Sequence, residues 1–334
     1  MNARKIIFTK PKTAELLQIE TNPLKANDVM VKMEYTVVSG GTERANILGM
    51  QNAGGDCFPK SLGYCGVGQV IEIGEKVENT AVGDRVLVYH GKHTDYNVVP
   101  ESDVTKVEDD AIDSLYAAFV IIASMGLGGV RKLEVELGES AMVMGLGLLG
   151  IFAVQELRAA GAYPVIAVDP VKERRDIALK LGADHALDPT EADFCQKVKD
   201  LSGGGVNVCI EVTGLGIGLI QALDCMKRFG RVALLGCTRS SKFEIDYYGK
   251  VHGRGITLIG AHTMARPKTE SAPGLWTDRD DLTAILNLIK GKRLNFKDMI
   301  SDIHSPTEAG GVYEKLANDR NFPIGVLFDW RNIQ

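Results

Sequence analysis

A chain of 334 residues is long enough for two domains with cores of their own. Its net charge of −5, with 24% charged and 45% hydrophobic residues, gives no basic footprint for nucleic acid or an anionic membrane surface. No apolar run reaches the length needed to span a bilayer, so no membrane partner is expected.

The first residues, Met1-Asn-Ala-Arg-Lys-Ile-Ile-Phe8, enter a strand-like run directly and lack the apolar core and cleavage site of a signal peptide. Six cysteines are scattered with no CxxC pair. Those at 195, 209, 225 and 237 fall in predicted helices or strand ends and read as buried free thiols. A reduced, cytoplasmic setting is the expectation. Up to about residue 115 the pattern predicts short strands, among them 30–38, 67–73 and 85–89, punctuated by glycine and proline. That texture suggests a small antiparallel barrel.

From about 117 to 262 strands and helices alternate. A buried strand at 140–144 runs into Gly145-Leu-Gly-Leu-Leu-Gly150, and a second at 165–168 ends at Asp169. Each part has a use in holding a dinucleotide. Gly145 makes the tight turn, Gly147 admits the pyrophosphate, and Gly150 lets helix and strand pack closely. The helix N-terminus faces the phosphates. Asp169 would accept hydrogen bonds from a ribose diol and repel a 2′-phosphate, which points to NAD(H). Further on, the pattern predicts a helix over 170–181, a strand at 183–187, a helix at 190–201 and a strand at 206–212. A helix at 217–229 and strands at 231–236 and 256–260 complete a doubly wound parallel sheet. In the tail, Leu282, Ile285, Leu286 and Ile289 share a helical face. A helix begins at 309, and a strand at 324–328 is expected to rejoin the first domain.

In this order, Gly63-Tyr-Cys-Gly-Val-Gly-Gln-Val-Ile-Glu-Ile-Gly74, Val82-Gly-Asp-Arg-Val86, the Gly145 to Gly150 turn, Glu211-Val-Thr-Gly214 and Gly230-Arg-Val-Ala-Leu-Leu-Gly236 resemble the medium-chain dehydrogenase/reductase superfamily. The resemblance implies an α/β protein. A GroES-like β-barrel catalytic domain would take 1–116 and 267–334, and a Rossmann domain 117–266, with the active site in the cleft between them. It also implies that Leu148 and Leu149 offer amides to the pyrophosphate and that Arg174 flanks the adenine. Val212, Thr213 and Gly214 would line the nucleotide, with Gly236, Cys237, Ala261 and His262 at the nicotinamide end; plain sheet-edge packing is the competing reading for these. A homodimer or homotetramer is implied as well.

Zinc members of that superfamily hold their metal with a cysteine, a His-Glu pair and a later cysteine or glutamate. The matching positions here carry Gly40, then Tyr64 and Cys65, then the neighbourhood of Ile121. One thiol cannot supply a four-coordinate site, and the four-cysteine lobe of structural-zinc members is missing, so no zinc is expected. Ser39-Gly-Gly-Thr-Glu43, with Trp276-Thr and Phe328-Asp-Trp330, resembles a branch that carries a Ser-x-Gly-Thr-Glu motif in place of the zinc cysteine.

Without a metal, a side chain must take the hydroxyl proton. The vacated positions offer Thr42, Glu43, Tyr64 and Cys65, and a second cluster offers His90; the expected relay uses Tyr64, His90 and Glu43, with Thr42 beside them. Arg44, Lys92 and His93 are candidates for contacting a small-molecule substrate. Against these stand plainer readings: Glu43 bracing its loop, Tyr64 as packing, and His90 and His93 as surface or structural residues. The leading expectation is an NAD-dependent, zinc-independent dehydrogenase of a polyol, sugar derivative or related secondary alcohol. A zinc-free quinone or enone reductase and a non-catalytic NAD-binding protein are the alternatives.

Overall fold

The computed structural model describes residues 1–50, 53, 55, 57–238 and 240–333, and the chain divides into two compact units. The first comprises Met1–Ile121, Ile285–Gly291 and Met299–Gln334; the second, Ile122–Ala284 and Lys292–Asp298.

In the first unit, β1 (Asn2–Lys10) and β2 (Thr13–Glu20) form an antiparallel hairpin. Next come β3 (Asp28–Val37), α1 (Gly40–Ile47), β4 (Cys65–Ile73), β5 (Arg85–Tyr89), β6 (Tyr96–Pro100), β7 (Val104–Lys106) and the short α2 (Ser114–Ala117). Strand β3 alternates buried residues toward a core that includes Ile6, Phe8, Val31, Met33, Val86, Tyr313 and Phe328. α3 (Val120–Lys132) then leads into the second unit.

There, β8 (Ala141–Met144), α4 (Leu148–Ala159), β9 (Val165–Val168), α5 (Lys172–Lys180), β10 (His185–Leu187), α6 (Phe194–Ser202), β11 (Val206–Glu211), α7 (Gly216–Cys225), β12 (Met226–Leu234), α8 (Tyr247–Lys250) and β13 (Thr257–Gly260) alternate. All sheet pairings are parallel, in the order β10-β9-β8-β11-β12-β13. The order reverses at β8/β11, where doubly wound sheets place their ligands. Met142, Ile166, Val198, Val206 and Leu223 fill one face.

After α9 (Asp278–Lys290), the strand β14 (Asp302–His304), α10 (Ala309–Asn318) and β15 (Val326–Asp329) complete the first unit. Its main sheet runs β14-β15-β3-β4-β5-β7, with β6 also on β3, so the terminal strand does rejoin the first unit. No helix among the described residues is long and apolar enough to cross a membrane.

Three boundaries depart from the sequence reading. The helix expected over 217–229 stops at Cys225, and β12 starts at Met226. Phe229 at φ 64° and the register shift opposite β11 turn 227–230 into an irregular strand rather than a fourth helical turn. Helix α6 starts at Phe194 instead of Thr190, because Asp188 ties up the Thr190 amide and hydroxyl in a turn. Residues 267–284 and 292–298 lie in the second unit, where 267–334 had been assigned to the first. Ion pairs explain it: Arg266 binds Asp278 and Asp281, Arg131 binds Asp281 and covers the Trp276 ring, and the Asn295 amide donates to Gln155.

That last cluster leaves one acid exposed to a physical cost. Glu156 on α4 is 2% exposed and neither carboxyl oxygen has a hydrogen-bond partner. Burial, then the Asp281 charge, push its pKa well above 4.5, with Arg266 and Arg131 pulling the other way. The unfolded chain therefore releases this proton at lower pH than the folded one. The Glu156 contribution is fully present below the unfolded pKa and is lost as pH rises toward the folded value, by up to about 1.4 kcal/mol per pH unit. Glu156→Gln should flatten the decline of urea-derived stability between pH 5 and 8. An unchanged slope would show that Glu156 ionises normally.

Candidate active site and cofactor site

In the first unit, the local sequence around 39–43 does two jobs. Ser39 is the N-cap of α1, yet its hydroxyl does not cap the helix; it meets the Tyr64 hydroxyl at 2.7 Å. The capping task passes to Glu43, which turns inward and accepts the Ser39 amide at 2.9 Å. Its carboxylate also accepts the Tyr313 hydroxyl at 2.6 Å, and His93 Nε2 lies 3.2 Å from both oxygens. On the far side of the ring, His93 Nδ1 meets the Thr36 hydroxyl at 2.7 Å, and Trp330 Nε1–H donates to the same oxygen at 2.9 Å. Because Nε2 faces a carboxylate, it carries a proton in either charge state of the ring. Gly63, at φ +96°, is what lets the chain run this close: a Cβ there would overlap the His93 backbone and ring.

Glu43 is 1% exposed and His93 0%. Burial opposes the Glu43 charge, but His93, the Tyr313 hydroxyl and the Ser39 amide outweigh it and hold the pKa below 4.5. Tyr64 is half-buried, and desolvation, then Cys65 and Glu43, push its phenol above the usual range against the pull of Ser39. The Cys65 thiol is buried, points to the Val37 carbonyl, and is raised well above 9.0 by burial and by Glu43.

The relay of Tyr64, His90 and Glu43 needs correcting. His90 is exposed, holds φ 59°, and stacks on Tyr89 at 3.9 Å; the histidine on Glu43 is His93. His93, placed among substrate contacts by the sequence, is sealed inside and cannot touch a ligand. Arg44 is also reassigned, because its guanidinium donates to the Asp319 and Ala317 carbonyls at the end of α10. The Thr42 hydroxyl joins none of these bonds, and its carbonyl accepts the Asn46 side chain. Lys92 stays half-buried, its main chain bracketed by the Asn97 amide and its pKa lowered by desolvation. Thr36, Tyr313 and Trp330 were missed as network members. Trp330 did stand in a noted motif, but nothing along the chain pairs it with Thr36, 294 residues away.

The second unit holds the glycine turn read in the sequence as a dinucleotide site. Gly145 has φ +102°, and a Cβ on Gly150 would overlap the Gly145 carbonyl oxygen, so each glycine has the role expected of it. At Gly147 a Cβ would meet no protein atom, which leaves open space above the turn. No side chain caps α4, so no side chain takes up the N–H groups of its first turn. Asp169, at the tip of β9, is 5% exposed; its oxygens accept the Leu146 amide (2.9 Å) and the Val171 amide (2.8 Å). Arg174 lies 3.8 Å from the same carboxylate. Glu211, named in sequence only as part of a motif, organises the next turn: it accepts the Thr213 amide and hydroxyl and the Gly214 amide. Val212 to Gly214 then packs against Gly236 and Cys237 so tightly that a Cβ on Gly214 or Gly236 would strike backbone. Ala261 is bonded to the Leu234 carbonyl and buried; His262 and Cys237 are exposed, the latter against the expectation of a buried thiol.

Comparisons with known proteins find dehydrogenases. A family model described as zinc-binding dehydrogenase matches residues 149–276. D-guloside 3-dehydrogenase of Escherichia coli is 26% identical over 97% of this chain and all of its own. L-threonine 3-dehydrogenase of Pyrococcus furiosus is 28% identical over 76% of this chain and 81% of its own. Among solved structures, 2R,3R-butanediol dehydrogenase of Bacillus subtilis superimposes with a TM-score of 0.82 at 23% identity, covering 98% and 99% of the two chains. That last likeness is one of fold.

Proposed function

We infer, from the chain's membership of the medium-chain dehydrogenase/reductase superfamily, that it is an oxidoreductase interconverting a secondary alcohol and its ketone. The finer reading is an NAD(H)-dependent, zinc-independent enzyme acting on a polyol or sugar derivative. The observation that carries it is the Ser39–Tyr64 hydroxyl pair at 2.7 Å, with Tyr64 at one of the positions that the resemblance assigns to metal ligands in zinc relatives and Ser39 next to another, Gly40.

Zinc does not fit the donor set. Gly40 and Tyr64 replace two ligands, Ile121 is a hydrocarbon, and Cys65 is a protonated thiol committed to a carbonyl. Ligation needs a thiolate and two further donors. Among the described residues, no group of three His, Cys, Asp or Glu side chains could hold a metal ion.

The second unit does fit a dinucleotide. Leu148 and Leu149 amides would hold the pyrophosphate above Gly147, and Asp169 has lone pairs left for ribose hydroxyls after its two backbone bonds. Arg174 would lie along the adenine, and the Val212 to Gly214 turn along the ribose. Bound NAD(H) supplies the hydride acceptor or donor. Tyr64 would donate a hydrogen bond to the ketone oxygen and pass its proton to the alkoxide that hydride addition leaves, an oxygen more basic than the phenolate. Burial, which raises the phenol pKa, makes the reverse step, a phenolate taking the alcohol proton in oxidation, the costlier direction. Ser39 fixes the direction of the phenol, and Lys92 offers a cation to an acidic group on the substrate.

Fluorescence titration with NADH and NADPH, followed by turnover assays on polyols, glycosides and enones in metal-analysed protein, tests this reading. NADH is expected to bind at least tenfold more tightly than NADPH. Activity that tracks stoichiometric zinc, or reduction of enones alone, would sink it. A subunit-spanning sheet through β13 fits the remaining proposal of a homodimer or homotetramer. Among the described residues that strand pairs only with β12, and it exposes Leu258. Leu258→Glu should lower the mass measured by light scattering to that of one chain; an unchanged mass would place the interface elsewhere.

A further inference from the structure

Away from both sites, two thiols of the second unit face each other. Cys195 is the second residue of α6 and Cys225 the last of α7, with their Sγ atoms 3.4 Å apart. Neighbouring residues fix both positions. Phe194, 2% exposed, anchors the start of α6 in the core, and β12 begins at Met226, so Cys225 cannot drift along its helix. Cys225 is completely buried, whereas Cys195 is partly exposed. One sulfur is therefore accessible to a small reagent and the other waits behind it. An S–S bond is about 2.05 Å long, so closure needs the two sulfurs, 3.4 Å apart, to approach by about 1.4 Å.

We propose that Cys195 and Cys225 form a dithiol site that a small-molecule disulfide oxidant closes to an intramolecular disulfide, tying α6 to α7. The Cys195 thiolate attacks one sulfur of the oxidant, its S–S bond breaks, and one thiolate leaves. The Cys225 sulfur, its proton passing to the thiolate released in the first step, then attacks Cys195 Sγ and expels the second thiolate. Two protein thiols are oxidised, and one disulfide of the oxidant is reduced to two thiols. Burial, then the neighbouring Cys195 sulfur, push the Cys225 pKa up, which keeps it the resolving rather than the attacking partner. In a reducing compartment such a pair is open at rest and closes when the thiol pool is oxidised.

The test uses folded protein carrying Cys57→Ser and Cys237→Ser, which removes the two exposed thiols. After incubation with glutathione disulfide, acid quenching and alkylation, peptide mass mapping is expected to find the segments bearing Cys195 and Cys225 cross-linked. Dithiothreitol should reverse the link. Adding Cys225→Ser should leave glutathione trapped on Cys195. Overturning results are a Cys195 left unmodified under native conditions, stable glutathione on Cys195 despite an intact Cys225, or a cross-link that forms only in denaturant.

Discussion

Tyr64→Phe is expected to lower kcat by about two to four orders of magnitude, the usual worth of one positioned acid or base, while leaving NADH binding unchanged. The variant keeps the ring that meets Tyr89 edge-on at 6.4 Å and removes only the oxygen that bonds Ser39. Ser39→Ala removes the partner instead and should cost less, because the phenol remains but is free to rotate. The dinucleotide turn lies in the other unit, so fluorescence titration with NADH reports on it independently of the chemistry. A Tyr64→Phe enzyme with wild-type kcat would take this phenol out of the proton transfer. Loss of NADH binding would instead mean that the substitution damages the fold.

The second large effect concerns stability. His93→Ala should destabilise the first unit by about 3–5 kcal/mol, since breaking a buried pair leaves the other charge without compensation. The orphan here would be Glu43, 1% exposed and kept ionised largely by that histidine. Glu43→Gln is a subtler probe, because three donors converge on the carboxylate and an amide group must turn its own N–H toward one of them. Its pH dependence has a definite sign. The Glu43 pKa lies below 4.5 in the folded protein, so its stabilisation is full above the unfolded value and is lost as pH falls through the folded one. Wild type should therefore exceed Glu43→Gln in urea-derived stability at pH 7, and the gap should close below about pH 4. A gap that stays constant with pH would mean that Glu43 is not ionised in the folded state.

Much of this was legible along the chain, for identifiable reasons. The glycine turn is short-range: Gly145, Gly147 and Gly150 lie within six residues, and Asp169 follows the next strand, so spacing alone carries the geometry. Strand and helix periodicity gave the doubly wound sheet, and erred chiefly where one helix gives way to a strand at Cys225 without a breaking residue. The Ser39 to Glu43 and Gly63 to Cys65 stretches drew attention to Glu43 and Tyr64, and both are hydrogen-bonded to Ser39. Choosing among histidines was another matter. His90 and His93 are three residues apart in similar company, and sequence offered no ground for preferring one. A left-handed turn at His90 sends its ring outward onto Tyr89, and the next inward position belongs to His93.

The sequence by itself determined the class of fold and the place of the glycine turn between β8 and α4. Only the tertiary structure decided which of the nearby polar side chains are partners. Glu43, His93, Thr36, Tyr313 and Trp330 come from five separate segments, and a buried charge is tolerated only where such distant donors meet it. Convergence of that kind depends on three-dimensional packing, and no local spacing encodes it.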